Sequence, residues 1–153
     1  MNYNYEFNNN NYFSFFFVGS WVGSFTYKES ILSPRVEALS DEIYGEPLYP
    51  KYRYNYGSNY YFKDFLVLNA TYNFTPGDYF AGWNKTYNAW ETLDLALSIT
   101  ADNDYLSGEF QIGVNNVWDI VPEKIRNISY PAFDPTVQDV LGRTIFASFK
   151  KKF

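Results

Sequence analysis

Apolar and polar residues alternate with a period of two along most of the chain, a pattern that predicts β-strands. The clearest case lies at 92–101, where Leu93, Leu95, Leu97, Ile99 and Ala101 oppose Thr92, Asp94, Ser98 and Thr100. At 66–74, Leu66, Leu68, Ala70, Tyr72 and Phe74 oppose Asn69, Thr71 and Asn73. Upstream, Tyr52, Tyr54 and Tyr56 oppose Arg53, Asn55, Gly57 and Asn59. The longest run, 12–28, places Phe13, Phe15, Phe17, Trp21, Phe25 and Tyr27 on one face; Phe16, Val18 and Val22 interrupt its polar face. A short strand at 2–7 carries Tyr3, Tyr5 and Phe7 on one side. Downstream, Phe110, Ile112, Val114 and Trp118 oppose Glu109, Gln111 and Asn115. The last segment sets Arg143, Ile145, Ala147, Phe149, Lys151 and Phe153 against Thr144, Ser148, Lys150 and Lys152.

About seven strands result, and every join between them is compatible with antiparallel pairing. The joins alternate in length. Those at 8–11, 63–64 and 102–107 are short, whereas those at 29–50, 76–89 and 119–140 are long and punctuated by proline or glycine. Short turns on one rim and long loops on the other are the arrangement of an outer-membrane barrel, with the C-terminus on the short-turn, periplasmic rim. A soluble sandwich has no reason to sort its loops in this way. The expected fold is therefore all-β: an antiparallel transmembrane β-barrel segment of meander strands that forms an open, curled sheet as an isolated chain. In such a sheet the first and last of seven strands run parallel and cannot close an all-antiparallel ring.

Composition sharpens this picture. Aromatic residues make up 23% of the 153 residues, led by 16 tyrosines and 15 phenylalanines. Mean hydropathy is nonetheless only −0.36, as expected where lipid-facing and lumen-facing positions alternate. No apolar run reaches the length of a transmembrane helix. The net charge of −5 argues against nucleic acid as a partner. Cysteine and histidine are both absent, which removes disulfides, thiol nucleophiles and histidine-based triads or metal sites. Asn2-Tyr3-Asn4-Tyr5-Glu6 after Met1 is neither basic nor apolar and does not read as a secretory signal. An outer-membrane protein needs such a signal, so either the membrane reading is wrong or the chain is a piece of a longer protein.

Candidate sites are sparse. Asp102, Asp104 and Glu109 lack the ligand and glycine spacing of a calcium loop and read as a solvated turn. Asn69, Asn73, Asn84 and Asn127 head Asn-x-Ser/Thr triplets, as expected by chance in an asparagine-rich chain. Arg53 and Asp94 lie on wet faces and are candidates to line a lumen. The loop aromatics Tyr79, Phe80, Trp83 and Tyr87 suit either stacking on ligand rings or anchoring at the membrane interface. No catalytic residue, metal site or cofactor is assigned, and no enzymatic activity is expected.

Several stretches resemble one family. Gly113-Val114-Asn115-Asn116-Val117-Trp118-Asp119 resembles the Gly-Val-x-Asn-Leu-Phe-Asp signature on the penultimate strand of TonB-dependent outer-membrane receptors. Asp139-Val140-Leu141-Gly142-Arg143-Thr144, with a strand ending in Phe153, is similar to their last strand. Pro50-Lys51-Tyr52-Arg53 and Trp90-Glu91-Thr92-Leu93-Asp94-Leu95 are similar to earlier strand entries. The order and spacing of these motifs carry the resemblance, which covers nearly the whole chain. Lys151 departs from the pattern, standing where the family has an aromatic residue. The resemblance implies the C-terminal part of a receptor barrel, without the plug domain and most of the roughly 22 strands of such transporters. It implies a role in energised uptake of a scarce ligand, such as a siderophore, cobalamin or an oligosaccharide. The implied location is the bacterial outer membrane. The implied partners are outer-membrane lipid, the rest of the barrel and plug, the TonB complex through the missing part, and the barrel-assembly machinery, which would read Phe149 and Phe153. A small self-contained barrel acting as an adhesin or pore, and a soluble carbohydrate-binding β-domain, are the alternatives that the residue pattern leaves open.

Overall fold

The structure, a computed structural model, describes residues 2–8, 10–24, 26–28, 30–33, 36–37, 50–77, 79–80, 85–86, 88–102, 107–122 and 139–151. Its strands are β1 (Asn2–Asn8), β2 (Asn11–Trp21), β3 (Thr26–Tyr27), β4 (Val36–Glu37), β5 (Tyr52–Phe62), β6 (Leu66–Thr75), β7 (Tyr79–Phe80), β8 (Lys85–Thr86), β9 (Trp90–Asp102), β10 (Ser107–Asn115) and β11 (Thr144–Lys151). Seven of them form one sheet in the order β1-β2-β5-β6-β9-β10-β11. All six neighbouring pairs are antiparallel. The remaining strands form two small ribbons, β3 with β4 and β7 with β8, inside the connections that join the main strands. No helix occurs among the described residues. The seven-strand open meander expected from the alternation is present, with β1 and β11 as its edges.

The register puts like residues on like faces. Tyr3 and Tyr5 pair with Phe15 and Phe13, and those two phenylalanines pair with Ser58 and Tyr60. The same row system continues through Tyr60 with Leu68, Leu68 with Leu97, Leu97 with Ile112 and Ile112 with Ala147. One face is therefore apolar across all seven strands, with the carboxylate Glu91 and the cation Lys151 near its ends. The opposite face carries Ser14, Asn59, Asn69, Ser98, Gln111 and Ser148.

Neither face is covered by the described residues. Among the described residues, Trp90 is the one apolar side chain classed as buried, at 9% exposure, and no side chain is fully buried. Leu68, Leu95, Ile112 and Phe149 are 40–53% exposed, and Ile145 is 73% exposed. In water, each such side chain forgoes roughly 1 kcal/mol of burial or more. A soluble chain of this length normally folds around a core; this sheet offers a face instead.

Three boundaries differ from the alternation pattern. Strand β2 stops at Trp21 and does not run to residue 28. Val22 N still donates to Lys51 O at 2.8 Å, but the next residue on the facing strand is Pro50, which has no N–H to extend the ladder. Thr26 and Tyr27 turn away to pair with Glu37 and Val36, and Phe25 lies outside the described residues. Trp118 is not on β10, which ends at Asn115 because Asn116 adopts a left-handed φ of 53°. Arg143 likewise precedes β11 and is not part of its apolar face. Asn115 pairs with Thr144, so the position facing Arg143 is the left-handed Asn116, where the ladder has ended. Tyr79, Phe80, Lys85 and Thr86, expected in an open loop, instead form the β7–β8 ribbon.

Phe16, which interrupts the polar pattern, has a packing reason. It pairs directly with Gly57, and a Cβ added there would meet the Phe16 ring at 2.8 Å. Phe146 lies over its own cross-strand partner Gly113 in the same way, with its ring edge 2.6 Å from where that Cβ would be. An aromatic ring laid over a strand glycine replaces the missing side-chain contact and pins the register.

Candidate functional site

The polar face is hydrogen-bonded along two stretches. Asn69 Nδ2 donates to Asn59 Oδ1 at 2.7 Å, and Thr71 Oγ1 donates to Asn69 Oδ1 at 3.3 Å. Further toward the long-loop rim, Asn73 Nδ2 donates to Thr92 Oγ1 at 3.1 Å and to Asp94 Oδ2 at 2.8 Å. These residues lie there because residues i and i+2 of a strand share a face, and the register of β5, β6 and β9 brings Asn55, Asn73 and Thr92 into one row.

At the rim, residues of the stretches 90–95, 113–119 and 139–144 meet. Asp94 Oδ1 accepts from Asn116 N at 2.7 Å. Asn116 is 6% exposed; its Nδ2 donates to Ile120 O at 2.7 Å and its Oδ1 accepts from Ile120 N at 2.9 Å. Asp119 N donates to Asn116 O at 2.9 Å, and Asp119 Oδ1 accepts from Arg143 N at 2.8 Å. Asn115 Nδ2 adds a longer bond to Thr144 Oγ1, 3.4 Å. Residues 94, 116, 119 and 143 thus form one chain of hydrogen bonds across β9, β10 and the entry to β11. Asn116 and Asp119 both have positive φ, 53° and 59°, a conformation that asparagine and aspartate tolerate and most residues avoid. The junction ends β10 and orients the return to β11.

Chemically, this is a positioning device. Both oxygens of Asp94 accept hydrogen bonds, so its carboxylate is committed to holding the backbone of Asn116. No group of three or more carboxylates gathers at metal-binding distance among the described residues. Asn69 and Asn73 have their side-chain amides committed to neighbours on the sheet, which removes them as modification acceptors in the folded chain. Arg53 sits on the polar face opposite Ser20. Asp102 accepts from Ser107 Oγ at 3.2 Å across the base of a turn, and Asp104 lies outside the described residues.

The loop aromatics are not brought together by anything described. The backbones of Tyr79 and Phe80 lie in β7, whereas Trp83, Tyr87 and the triplets at Asn84 and Asn127 lie outside the described residues. Phe149 is on the apolar face of β11, opposite Phe110; Phe153 lies outside the described residues. Trp118, displaced from β10, packs edge-on against Tyr72 with ring centroids 6.0 Å apart. Tyr72 in turn donates its hydroxyl to Glu91, the carboxylate of the apolar face. The roles of Asn73, Thr92, Asn116 and Asp119 escape a strand-by-strand reading. The one signal for them is the cluster of Asn and Asp immediately after an alternating run.

Compared with models of protein families, with curated proteins and with solved structures, the chain matches none.

Proposed function

We propose that the chain is the C-terminal part of the barrel wall, with its outer loops, of a TonB-dependent outer-membrane receptor that takes up a scarce ligand such as a siderophore, cobalamin or an oligosaccharide. The observation that carries this reading is the two-faced sheet. An apolar face runs unbroken over seven strands, and a hydrogen-bonded polar face backs it. Strands β2, β5, β6 and β9 are 10–13 residues long, enough to cross a bilayer core at the usual tilt. In this role the apolar face meets lipid and the polar face lines the lumen. The connections at 22–51, 76–89 and 116–143 lie outside the cell, and the short turns lie in the periplasm.

The short-turn rim is tied together. Lys63 N, at φ 51°, donates to Asn10 O at 2.7 Å, and Thr100 N donates to Phe65 O at 2.8 Å. The strand number favours a share of a larger barrel over a self-contained one. Edge strands β1 and β11 run in the same direction, so an all-antiparallel ring needs an odd number of further strands between them. The rest of the receptor supplies them.

The test is a scan of lipid contact along β9 in the parent receptor. Since the segment has no cysteine, nitroxides attached at single introduced cysteines would report positions 93–100 one at a time. Collisions with oxygen, which concentrates in lipid, should peak at 93, 95, 97 and 99. Collisions with a water-soluble nickel chelate should peak at 94, 96, 98 and 100. Uniform access to the chelate along the strand would overturn the membrane reading.

A further inference from the structure

The apolar face is not uniform. On β9 it presents Leu93, Leu95, Leu97, Ile99 and Ala101, with no hydroxyl. On β5 it presents Tyr52, Tyr54, Tyr56, Ser58, Tyr60 and Phe62, five hydroxyls in six positions. A hydrocarbon band ~25 Å tall, crossed at ~40°, takes about ten residues of a strand, about five per face. At most the end positions of β5 can then reach the headgroups, which leaves Tyr54, Tyr56, Ser58 and Tyr60 at hydrocarbon depth. The rings of Tyr54, Tyr56 and Tyr60 pack against Phe74, Tyr72 and Phe13, and each ring carries a hydroxyl that calls for a hydrogen-bond partner. A hydroxyl without a partner in hydrocarbon is unfavourable, so lipid is a poor cover for this strand and an excellent one for β9.

The same region is shaped for a solid partner. A shallow hollow of about 420 Å³ has the small residues Ser58 and Ala70 in its floor, with Phe15, Tyr56 and Tyr72 around it. On β2, Phe15 at its edge and Phe17 next on the same face are 43% and 50% exposed. Knobs next to holes on one surface allow a patch to mate with its own copy about a two-fold axis.

We infer that the face of β1, β2, β5 and the adjoining part of β6 is a contact between two copies of the receptor lying side by side in the membrane. Three features select a second copy. The face of β1, β2 and β5 carries no charged residue, so identical patches meet without like-charge repulsion. Tyrosine and phenylalanine rings pair well with their own kind, and tyrosine hydroxyls supply each other with donors and acceptors. Four strands ~4.8 Å apart and ~10 residues long cover about 650 Å² before side-chain relief is added, close to the ~800 Å² that each partner contributes to a stable interface. The inference rests on the membrane reading above.

Both are tested together in the parent receptor, in its own membrane. Phe15→Cys and Tyr56→Cys place thiols in the proposed contact, and Ile112→Cys, at similar exposure, places one on the aliphatic side. A short bis-maleimide should yield a covalent dimer of two receptors from the first two variants and none from Ile112→Cys. Nitroxides should report high oxygen collision at 112 and low collision with both oxygen and the nickel chelate at 15 and 56. High oxygen collision at all three sites with no dimer would overturn the second-copy contact and leave the membrane reading standing. Low oxygen collision with high chelate collision at 112 would overturn the membrane reading and the contact with it. A cross-link from position 56 to a different protein would overturn the choice of occupant.

Discussion

Strands β5 and β9 lie on either side of β6 in one sheet, with their apolar side chains on the same face, yet they are built from different residues. The β9 face is aliphatic from Leu93 to Ala101, with Glu91 at its end. The β5 face is a ladder of rings: Tyr54 stacks on Phe74 at 4.6 Å and 14°, Tyr56 leans on Tyr72 at 4.9 Å, and Phe13 meets Tyr60 at 4.8 Å. Both satisfy the same alternation, because period-two patterning asks only that a side chain be apolar enough to leave water. What differs is the cover each can accept. Leucine and isoleucine lose nothing in hydrocarbon, whereas a tyrosine there keeps an unmet hydrogen-bond demand. On one continuous face, then, branched aliphatic residues on β9 suit a hydrocarbon cover and hydroxylated aromatic residues on β5 suit a cover that can hydrogen-bond, the distinction on which the proposed lipid and second-copy contacts rest.

The comparison breaks most severely if the sheet is asked to stand alone. The outer edges of β1 and β11, 7 and 8 residues long, would leave backbone groups unsatisfied in lipid at several kcal/mol each. The isolated chain should therefore aggregate or require detergent. Refolded in micelles, it should show neither heat-modifiable migration nor discrete single-channel conductance. A compact, protease-resistant, conducting monomer would be the opposite result.

Next in size is the difference between the two faces of β9. Leu95→Arg, near mid-strand, should cost about 2–4 kcal/mol in the proposed parent barrel, while Ser98→Arg, on the polar face, should cost far less. Folding titrations into bilayers measure both, and equal penalties would dissolve the distinction between faces.

The rim junction ranks third. Asp94→Ala removes the acceptor for Asn116 N and for Asn73 Nδ2 and leaves part-buried donors unsatisfied, at about 1–3 kcal/mol. Asp102→Ala, which gives up one exposed bond to Ser107, should be nearly neutral. Denaturant melts of the two variants in the parent barrel separate a junction from a set of incidental contacts. A smaller cost than that of Asp94→Ala should come from the polar side of β2: Phe16→Ala uncovers Gly57 and should cost on the order of 0.5–1 kcal/mol. Phe16→Tyr, which keeps the ring over the glycine, should restore most of the difference in the same melts.

Much of the fold was legible before any coordinates. The seven main strands, their antiparallel order and the composition of both faces follow from residues such as Leu93 to Ala101, because a strand has one periodicity and a sheet has two sides. Boundaries were less legible. Trp21 and Thr144 bound their strands for reasons that lie on the facing segment: Pro50, next after the Lys51 that faces Val22, and a left-handed Asn116 facing Arg143. Phe16 looked like a flaw in the pattern until Gly57 was found beneath it.

Alternation, aromatic content and the absence of histidine and cysteine were settled by local composition, which one residue after another specifies without reference to distant partners. Which faces align across seven strands, how Asp94, Asn116, Asp119 and Arg143 join into one junction, and that tyrosines gather on β5 beside the small floor of Ser58 and Ala70 were decided by register. Register is a property of pairs of strands, and each of these features depends on residues of different strands meeting across a ladder. Periodicity within one segment contains no information about that meeting; the hydrogen-bonded sheet supplies it.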